Sequence, residues 1–227
     1  MRLIDRYLFL LVHIKGLLTH SFRRTTYGQW AEDLLIGGFM PKERGLYVDV
    51  GAFHPMHYSN TYLLYKRGWR GIAIDPNASA ATLFKLHRPR DTFVHAGVGA
   101  TRETKPYYVF NHQSCNTFSP QHRDRMLARP FMHLIRTDEV ALEPLSDIMT
   151  RVAPGTEVDV LNIDVEGMNL EVLRTLGAHT PKLICIEDDD LVVRADTVES
   201  PIHAYLSERG YTLRARAGQS SIYTHGA

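Results

Sequence analysis

Four short stretches of this sequence each close an apolar run with an acid, the place in a parallel sheet where chemistry is done. The first is Val48-Asp49-Val50-Gly51-Ala52. Gly51 permits a sharp turn and close backbone approach to a ligand, and Asp49 can accept hydrogen bonds from a ligand ammonium group, directly or through water. The second, Gly71-Ile72-Ala73-Ile74-Asp75-Pro76-Asn77, places Asp75 roughly 25 positions later, close to the ~20 expected for a nucleotide-binding unit. A carboxylate there can accept both hydroxyls of an adenosine ribose. Together the turn and the acid favour a nucleoside cofactor without separating NAD from S-adenosylmethionine (SAM). The third and fourth are Leu161-Asn162-Ile163-Asp164-Val165-Glu166-Gly167 and Ile186-Glu187-Asp188-Asp189-Asp190. Asp164, Glu187 and Asp188 are expected to meet at one edge of the cleft. Such hard oxygen donors suit Mg²⁺, which would hold and acidify a substrate hydroxyl. The plainer alternative is a solvated acidic loop beside one carboxylate acting as a base.

The elements that must position these groups read as an alternating series. Residues 27 to 38 form a helix ending at a glycine pair, and Leu46 to Val50 a buried strand. Asn60 to Arg67 is helical, Gly71 to Ile74 a strand, Ala78 to His87 a helix and Thr92 to Val98 a third strand. This order indicates an α/β domain, Rossmann-like, with a mostly parallel doubly wound sheet. Residues 101 to 150 break the rhythm with Pro106, Pro120, Pro130 and Pro144. They read as a strand around Tyr107-Phe110 and then an insertion that caps the substrate site. Val158 to Ile163, Asn169 to Leu176, Leu183 to Ile186 and Ile202 to Arg209 restore it, and Tyr211 to Ala215 with Ser221 to Thr224 form a C-terminal antiparallel hairpin around Gly218. Trp69, at a strand start, is assigned to packing.

The chain has 227 residues, net charge +1 and two cysteines, Cys115 and Cys185. That favours one decorated domain, no disulfide framework and a reducing, cytoplasmic setting. The charge balance and the absence of zinc-finger, basic-zipper or RNP-type patterns argue against a nucleic-acid partner. Arg67-Arg70 and Arg88-Arg90 are read as local surface charge. Within residues 1 to 26, Leu3, Tyr7, Leu10, Leu11, Ile14 and Leu18 recur at helical spacing. The stretch is too short and interrupted for a membrane span, which needs ~20 apolar residues. It is expected to be an amphipathic helix packing on the domain, on a partner, or on a membrane surface; the domain proper is 27 to 227.

Four stretches resemble the FkbM family of SAM-dependent methyltransferases. They are the lead-in from Tyr27 to Ile36, the long run from Val48 to Asn77 containing Ser59-Asn60-Thr61-Tyr62-Leu63-Leu64-Tyr65-Lys66-Arg67-Gly68-Trp69-Arg70-Gly71, the strand Phe93 to Gly99, and Leu161 to Leu176 with Ile184 to Glu187. The resemblance spans about residues 30 to 190 and is most discriminating between the two nucleotide-site strands. Phe53 stands where members commonly have Asn, Pro55 where many have Gly, and Asp75 where Glu is commoner.

The resemblance implies that Asp49 and Gly51 line the methionine end of SAM, with Asn60 in the same region. Asp75 would hold the ribose beside Pro76 and Asn77, and Gly97 and Val98 would border the adenine. It also implies O-methylation of a sugar, in a bacterial surface glycan or glycolipid, or of a natural product. The N-terminal helix would then dock on a glycosyltransferase complex or the inner membrane face. Methyl transfer needs in-line alignment and removal of a proton. Among the histidines, His54 is the first candidate base because it follows the cofactor turn; His57 and His112 are alternatives. Asp164 could act as base without a metal or as ligand with one. Ser114, Asn116 and Thr117, near His112 and Cys115, are candidate contacts to acceptor hydroxyls or simply turn formers. Two rival functions share the ribose-acid logic, an NAD-dependent oxidoreductase and a non-catalytic nucleotide-binding protein. The oxidoreductase is disfavoured because the turn lacks G-x-G-x-x-G.

Overall fold

Short apolar runs bounded by turn formers and acids build the central layer. A computed structural model describes residues 25–194 and 197–226 together with Leu11, Ile14 and Lys15. The expected N-terminal helix therefore lies mostly outside the described residues; those three are helical. The main elements are helix α1 (Glu32–Phe39), β1 (Leu46–Val50), α2 (Tyr62–Lys66), β2 (Arg70–Asp75), α3 (Ala78–His87), β3 (Thr92–His95) and β4 (Gly97–Val98). Then follow β5 (Glu103–Phe110), α4 (Pro120–Leu127), β6 (Leu134–Glu143), α5 (Leu145–Val152), β7 (Val160–Ile163), α6 (Asn169–Arg174) and β8 (Leu183–Glu187). A two-stranded ribbon of β9 (Val192–Val193) and β10 (Val198–Glu199) precedes α7 (Pro201–Glu208), β11 (Tyr211–Ala217) and β12 (Ser220–His225).

The seven-stranded sheet has the order β11-β12-β8-β7-β1-β2-β3. The five strands from β8 to β3 are parallel, and the C-terminal hairpin adds β12 antiparallel to β8. This is the Rossmann-like class I methyltransferase fold. The reversal of strand order lies between β1 and β7, so the ends of those strands form the crevice. Because side chains alternate across a sheet, Val48, Val50, Leu161, Ile163, Ile184 and Ile186 pack on one face against α5, α6 and α7. Tyr47, Val160, Leu183 and Cys185 pack on the other against α1 and α2. Trp69 is fully buried there, its indole N–H donating to the Lys42 carbonyl at 3.2 Å.

Three local expectations shift. Gly37 and Gly38 lie inside α1 rather than ending it; the Arg67 guanidinium fills the space a Cβ on Gly37 would need, 2.7 Å away. The stretch Thr92 to Val98 is two strands. β3 stays in the main sheet, whereas β4 turns away after Ala96 and pairs with β6. Residues 101 to 150 supply β5 and β6, which with β4 form a second sheet of order β4-β6-β5, with α4 between β5 and β6. Ser119 caps α4 by accepting from the His122 N–H, with Pro120 in the first turn.

Candidate active site

Gly51 cannot be another residue. Its φ is +78°, and a Cβ there would lie 1.8 Å from the Asp164 carbonyl oxygen. The turn is thus pressed against the end of β7, and it opens a cleft beyond the ends of β1, β2 and β4. The cleft encloses about 600 Å³ of space, much of it in its solvent-open mouth. Asp75 forms one side. It is buried, and one carboxylate oxygen accepts the Phe53 N–H and the other the Asn77 N–H, both at 2.8 Å. Each oxygen keeps a lone pair for a further donor. Burial pushes the Asp75 pKa up to about 6, against the pull of those two N–H groups. Gly97, Val98, Tyr107 and Phe118 form an apolar end, where a Cβ on Gly97 would come within 2.7 Å of the Phe118 ring. A backbone cradle open only to glycine, a strand-end carboxylate with spare acceptor capacity and a flat apolar slot fit a nucleoside cofactor such as SAM.

Gly51, Asp75, Pro76, Asn77, Gly97 and Val98 therefore line the cleft. Asp49 and Asn60 do not. Asp49 projects to the opposite side of the turn, where it accepts from the Thr61 hydroxyl and from Asn162 Nδ2 at 2.9 Å. Asn60 Nδ2 donates to Asn162 Oδ1 at 3.1 Å. Asp49 and Asn162 are register partners on β1 and β7, so the contact follows from the sheet. Both residues brace the floor beneath the turn. Arg88, read from sequence as surface charge, is fully buried beside them. It donates to Asp91 at 2.7 Å, to the Tyr47 hydroxyl at 2.7 Å and to Thr61 Oγ1 at 3.0 Å. Burial raises the Asp49 pKa, while Arg88 and the two hydrogen bonds oppose the rise.

A second pocket opens from the same turn, lined on its far side by His122, Arg125, Arg129, Glu187 and Asp189. Oxygens of Asp164, Glu166 and Glu187 lie within 4.8 Å of one another. Asp164 follows directly on β7. Glu166, two residues on, adopts a left-handed φ of +50° and precedes Gly167 at +95°, a reversal that swings its side chain back beside Asp164. The Thr117 hydroxyl fixes this turn by donating to the Glu166 carbonyl at 2.6 Å. Glu187 ends β8 and accepts from Asn169 Nδ2 at 3.0 Å. Burial is the main cause holding the pKa of all three above the usual carboxylate range, and mutual repulsion adds to it for Asp164 and Glu166.

Asp188 is not part of this group, contrary to the expected set of Asp164, Glu187 and Asp188. Adjacent residues at the end of a strand face opposite ways, and Asp188 accepts from the Ser200 hydroxyl at 2.6 Å, the residue that caps α7. Glu166 takes its place. His54 is also displaced from its expected role. Its Nδ1 accepts the Met56 and His57 N–H groups at 3.1 and 3.0 Å, and it lines neither pocket. His57 stacks on Tyr58 at 3.8 Å and His112 packs edge-on against Phe131. The histidine in the pocket is His122, 5% exposed, with Nε2 3.3 Å from Glu166 Oε2. Burial, then Arg125 and Arg129, depress its pKa. Its only sequence signal was the Ser119-Pro120 helix start. Ser114 reaches both pockets, Asn116 and Thr117 line the first, and Cys115 lines the second.

A family profile described as the methyltransferase FkbM domain matches residues 49–213. No curated protein matches the chain. Among solved structures, the chain is similar to methyltransferase FkbM from Methylobacillus flagellatus KT, at 16% identity over 81% of this chain and 44% of that one, with a TM-score of 0.48. The chain thus spans less than half of that protein's length. It is also similar to a TehB-like SAM-dependent methyltransferase from Corynebacterium glutamicum, at 11% identity over 97% and 99% of the two chains with a TM-score of 0.41. A third is precorrin-6y C5,15-methyltransferase from Geobacter metallireducens, at 13% identity over 88% and 90% with a TM-score of 0.40. With the family profile covering most of its length, from the β1 acid to the C-terminal hairpin, this chain belongs to the FkbM methyltransferase family.

Proposed function

We propose that this chain transfers the methyl group of SAM to a hydroxyl oxygen of a saccharide or natural-product acceptor. The observation that carries this reading is a shared wall: Gly51, Phe53, Ser114, Asp164 and Glu166 line both the nucleoside cleft and the second pocket. A methyl donor in one and an acceptor in the other would meet at the Gly51 turn.

Bound SAM supplies an electrophilic methyl group on a sulfonium. The protein's task is alignment, exclusion of water and proton removal. Asp75 orients the cofactor through its ribose hydroxyls, and Gly51 admits the methionine end. Tyr107, Phe118 and the rest of the segment from β5 to β6 wall off the nucleoside. On the acceptor side one carboxylate, Asp164 or Glu166, accepts the hydroxyl proton when ionised. A carboxylate held above its usual range is a stronger base for this than an exposed one, and His122 beside Glu166 gives the proton an onward path. The pocket is polar, with Gln29, Tyr58 and Gln219 at its edge, which suits a hydroxyl-rich acceptor.

A surface glycan or glycolipid precursor made in the bacterial cytoplasm is the acceptor class this reading favours. Residues 1 to 26 would bring the enzyme to the membrane or a glycosyltransferase complex; among the described residues no helix is long and apolar enough to cross a membrane. The test is transfer of radiolabelled methyl from SAM to a panel of nucleotide sugars, glycolipids and amines. Base-stable label in a sugar is expected. Label only in amines, or as a base-labile ester, would overturn O-methylation. Deleting residues 1 to 20 should release the protein from a membrane fraction, and unchanged partitioning would remove the docking role.

A further inference from the structure

We propose that Asp164, Glu166 and Glu187 form a divalent-cation site, for Mg²⁺ or Mn²⁺, where the nucleoside cleft meets the acceptor pocket. The site deepens the methyltransferase reading and rests on it for its use, not for its existence.

The first observation is the trio itself, drawn from two strand ends and a left-handed turn, with one oxygen of each within 4.8 Å of the others. Some other acids have a lysine or arginine paired with them: Asp91 has Arg88, and Asp159 has Lys42 and Lys182. Among the described residues no lysine or arginine is ion-paired with Asp164, Glu166 or Glu187; Arg125 leans to Asp189 instead, at 3.9 Å. The second, independent observation is His122. It is 5% exposed and capped into place at the start of α4. Its Nε2 is aimed at Glu166 from 3.3 Å yet makes no hydrogen bond. A buried imidazole nitrogen without a hydrogen bond is uncommon, and this one lines the same pocket as the three carboxylates.

The support behind the donors fits the same ligand. Asn169 donates to Glu187 and accepts the Val165 N–H at 2.9 Å, so one side chain fixes a donor and the loop carrying another. Outer contacts of this kind are a usual part of metal sites. All three donors are hard oxygens, the set that selects Mg²⁺ or Mn²⁺ over softer metals. Mg²⁺ typically retains several water ligands, and the pocket side of the trio could admit them or an acceptor hydroxyl. A cation there would acidify such a hydroxyl.

The experiment is titration of the metal-free full chain with Mn²⁺ alone, followed by loss of the free-ion electron paramagnetic resonance signal and by calorimetry. Wild type, Glu166→Gln, Glu187→Gln and Asp190→Asn are compared, with near-ultraviolet circular dichroism to verify folding. One saturable site is expected in wild type, weakened at least tenfold in the two glutamine variants. Asp190→Asn, which removes an equal charge next to Asp189 outside the trio, should bind as wild type does. No saturable site in wild type, or equal affinities in all four proteins, would overturn the proposal. S-adenosylhomocysteine binding, measured separately without Mn²⁺, keeps the two readings apart. If it persists while Mn²⁺ fails to bind, only the metal site falls; if Mn²⁺ binds and the nucleoside does not, only the cofactor reading falls.

Discussion

Beneath the Gly51 turn, Asp49 and Asp91 share the buried Arg88 with the hydroxyls of Tyr47 and Thr61. Above the same turn, Asp164, Glu166 and Glu187 face one another, and among the described residues none of them is ion-paired with a lysine or arginine. The side chains of the lower group are buried and the upper trio is only half-buried, and the two differ as well in how their charges are compensated. The lower group combines charges of both signs in a dense hydrogen-bond network, the arrangement that makes buried charge tolerable. The upper group holds like charges at the mouth of a pocket, which costs stability and is retained in proteins mainly where it is used. The acids most prominent in the sequence thus divide into a floor beneath the turn and a wall of the second pocket.

That contrast can be broken by experiment. The largest effect is expected for Arg88→Ala, which leaves Asp49 and Asp91 buried without their cation; removing one partner of a buried pair costs about 3–5 kcal/mol. Chemical denaturation should show that loss. A change under about 1 kcal/mol would mean that the lower group is not held by its charges. Asp164→Asn should behave in the opposite way. Relief of repulsion should leave stability unchanged or raised, while the rate of methyl transfer falls by about 10²–10³, as for loss of a general base. Parallel losses of stability and rate would erase the distinction between floor and wall.

A smaller effect concerns Asp75. The unfolded chain releases this proton near pH 4 and the folded chain near 6, so folding takes up a proton in that window. This contribution to stability therefore favours the folded state at low pH and declines as pH rises through about 4 to 6. A carboxylate that accepts two ribose hydroxyls must be ionised, so cofactor affinity should move the other way. S-adenosylhomocysteine should bind about tenfold more tightly at pH 7 than at pH 5, with the dependence flattened in Asp75→Asn. The smallest effect is expected for His54→Ala, whose side chain closes its own turn: under threefold on turnover, against at least a hundredfold for His122→Ala. A loss of a hundredfold or more for His54→Ala, with His122→Ala near wild type, would restore His54 as the base.

The central strands were legible because each is a short apolar run stopped by an acid or a glycine, as at Leu46–Val50 and Leu183–Glu187. The cofactor turn was legible for the same reason. Strand β6 was not, because its sequence Leu-Ile-Arg-Thr-Asp-Glu-Val-Ala-Leu-Glu is largely exposed and is defined by pairing with β5 rather than by its own pattern. That hidden strand is what carries α4, and hence His122, over the pocket. Side-chain direction was the other limit. Asp49 and Asp75 both occupy strand-end positions, yet the partners Thr61 and Asn162 turn Asp49 into the floor. Asp188 could be told from Glu187 only by strand parity, and Glu166 only by noticing that Glu166-Gly167 permits a left-handed reversal. Arg88 looked like one more basic residue among several, since nothing local to it marks burial.

The most direct test of the account is a calorimetric titration of the purified chain with S-adenosylhomocysteine, with NAD as the control and Asp75→Asn as the site variant. One saturable site for S-adenosylhomocysteine, weakened in Asp75→Asn and absent for NAD, is the predicted result. Binding of NAD with no binding of S-adenosylhomocysteine would contradict the assignment of the Gly51–Asp75 cleft as the methyl-donor site.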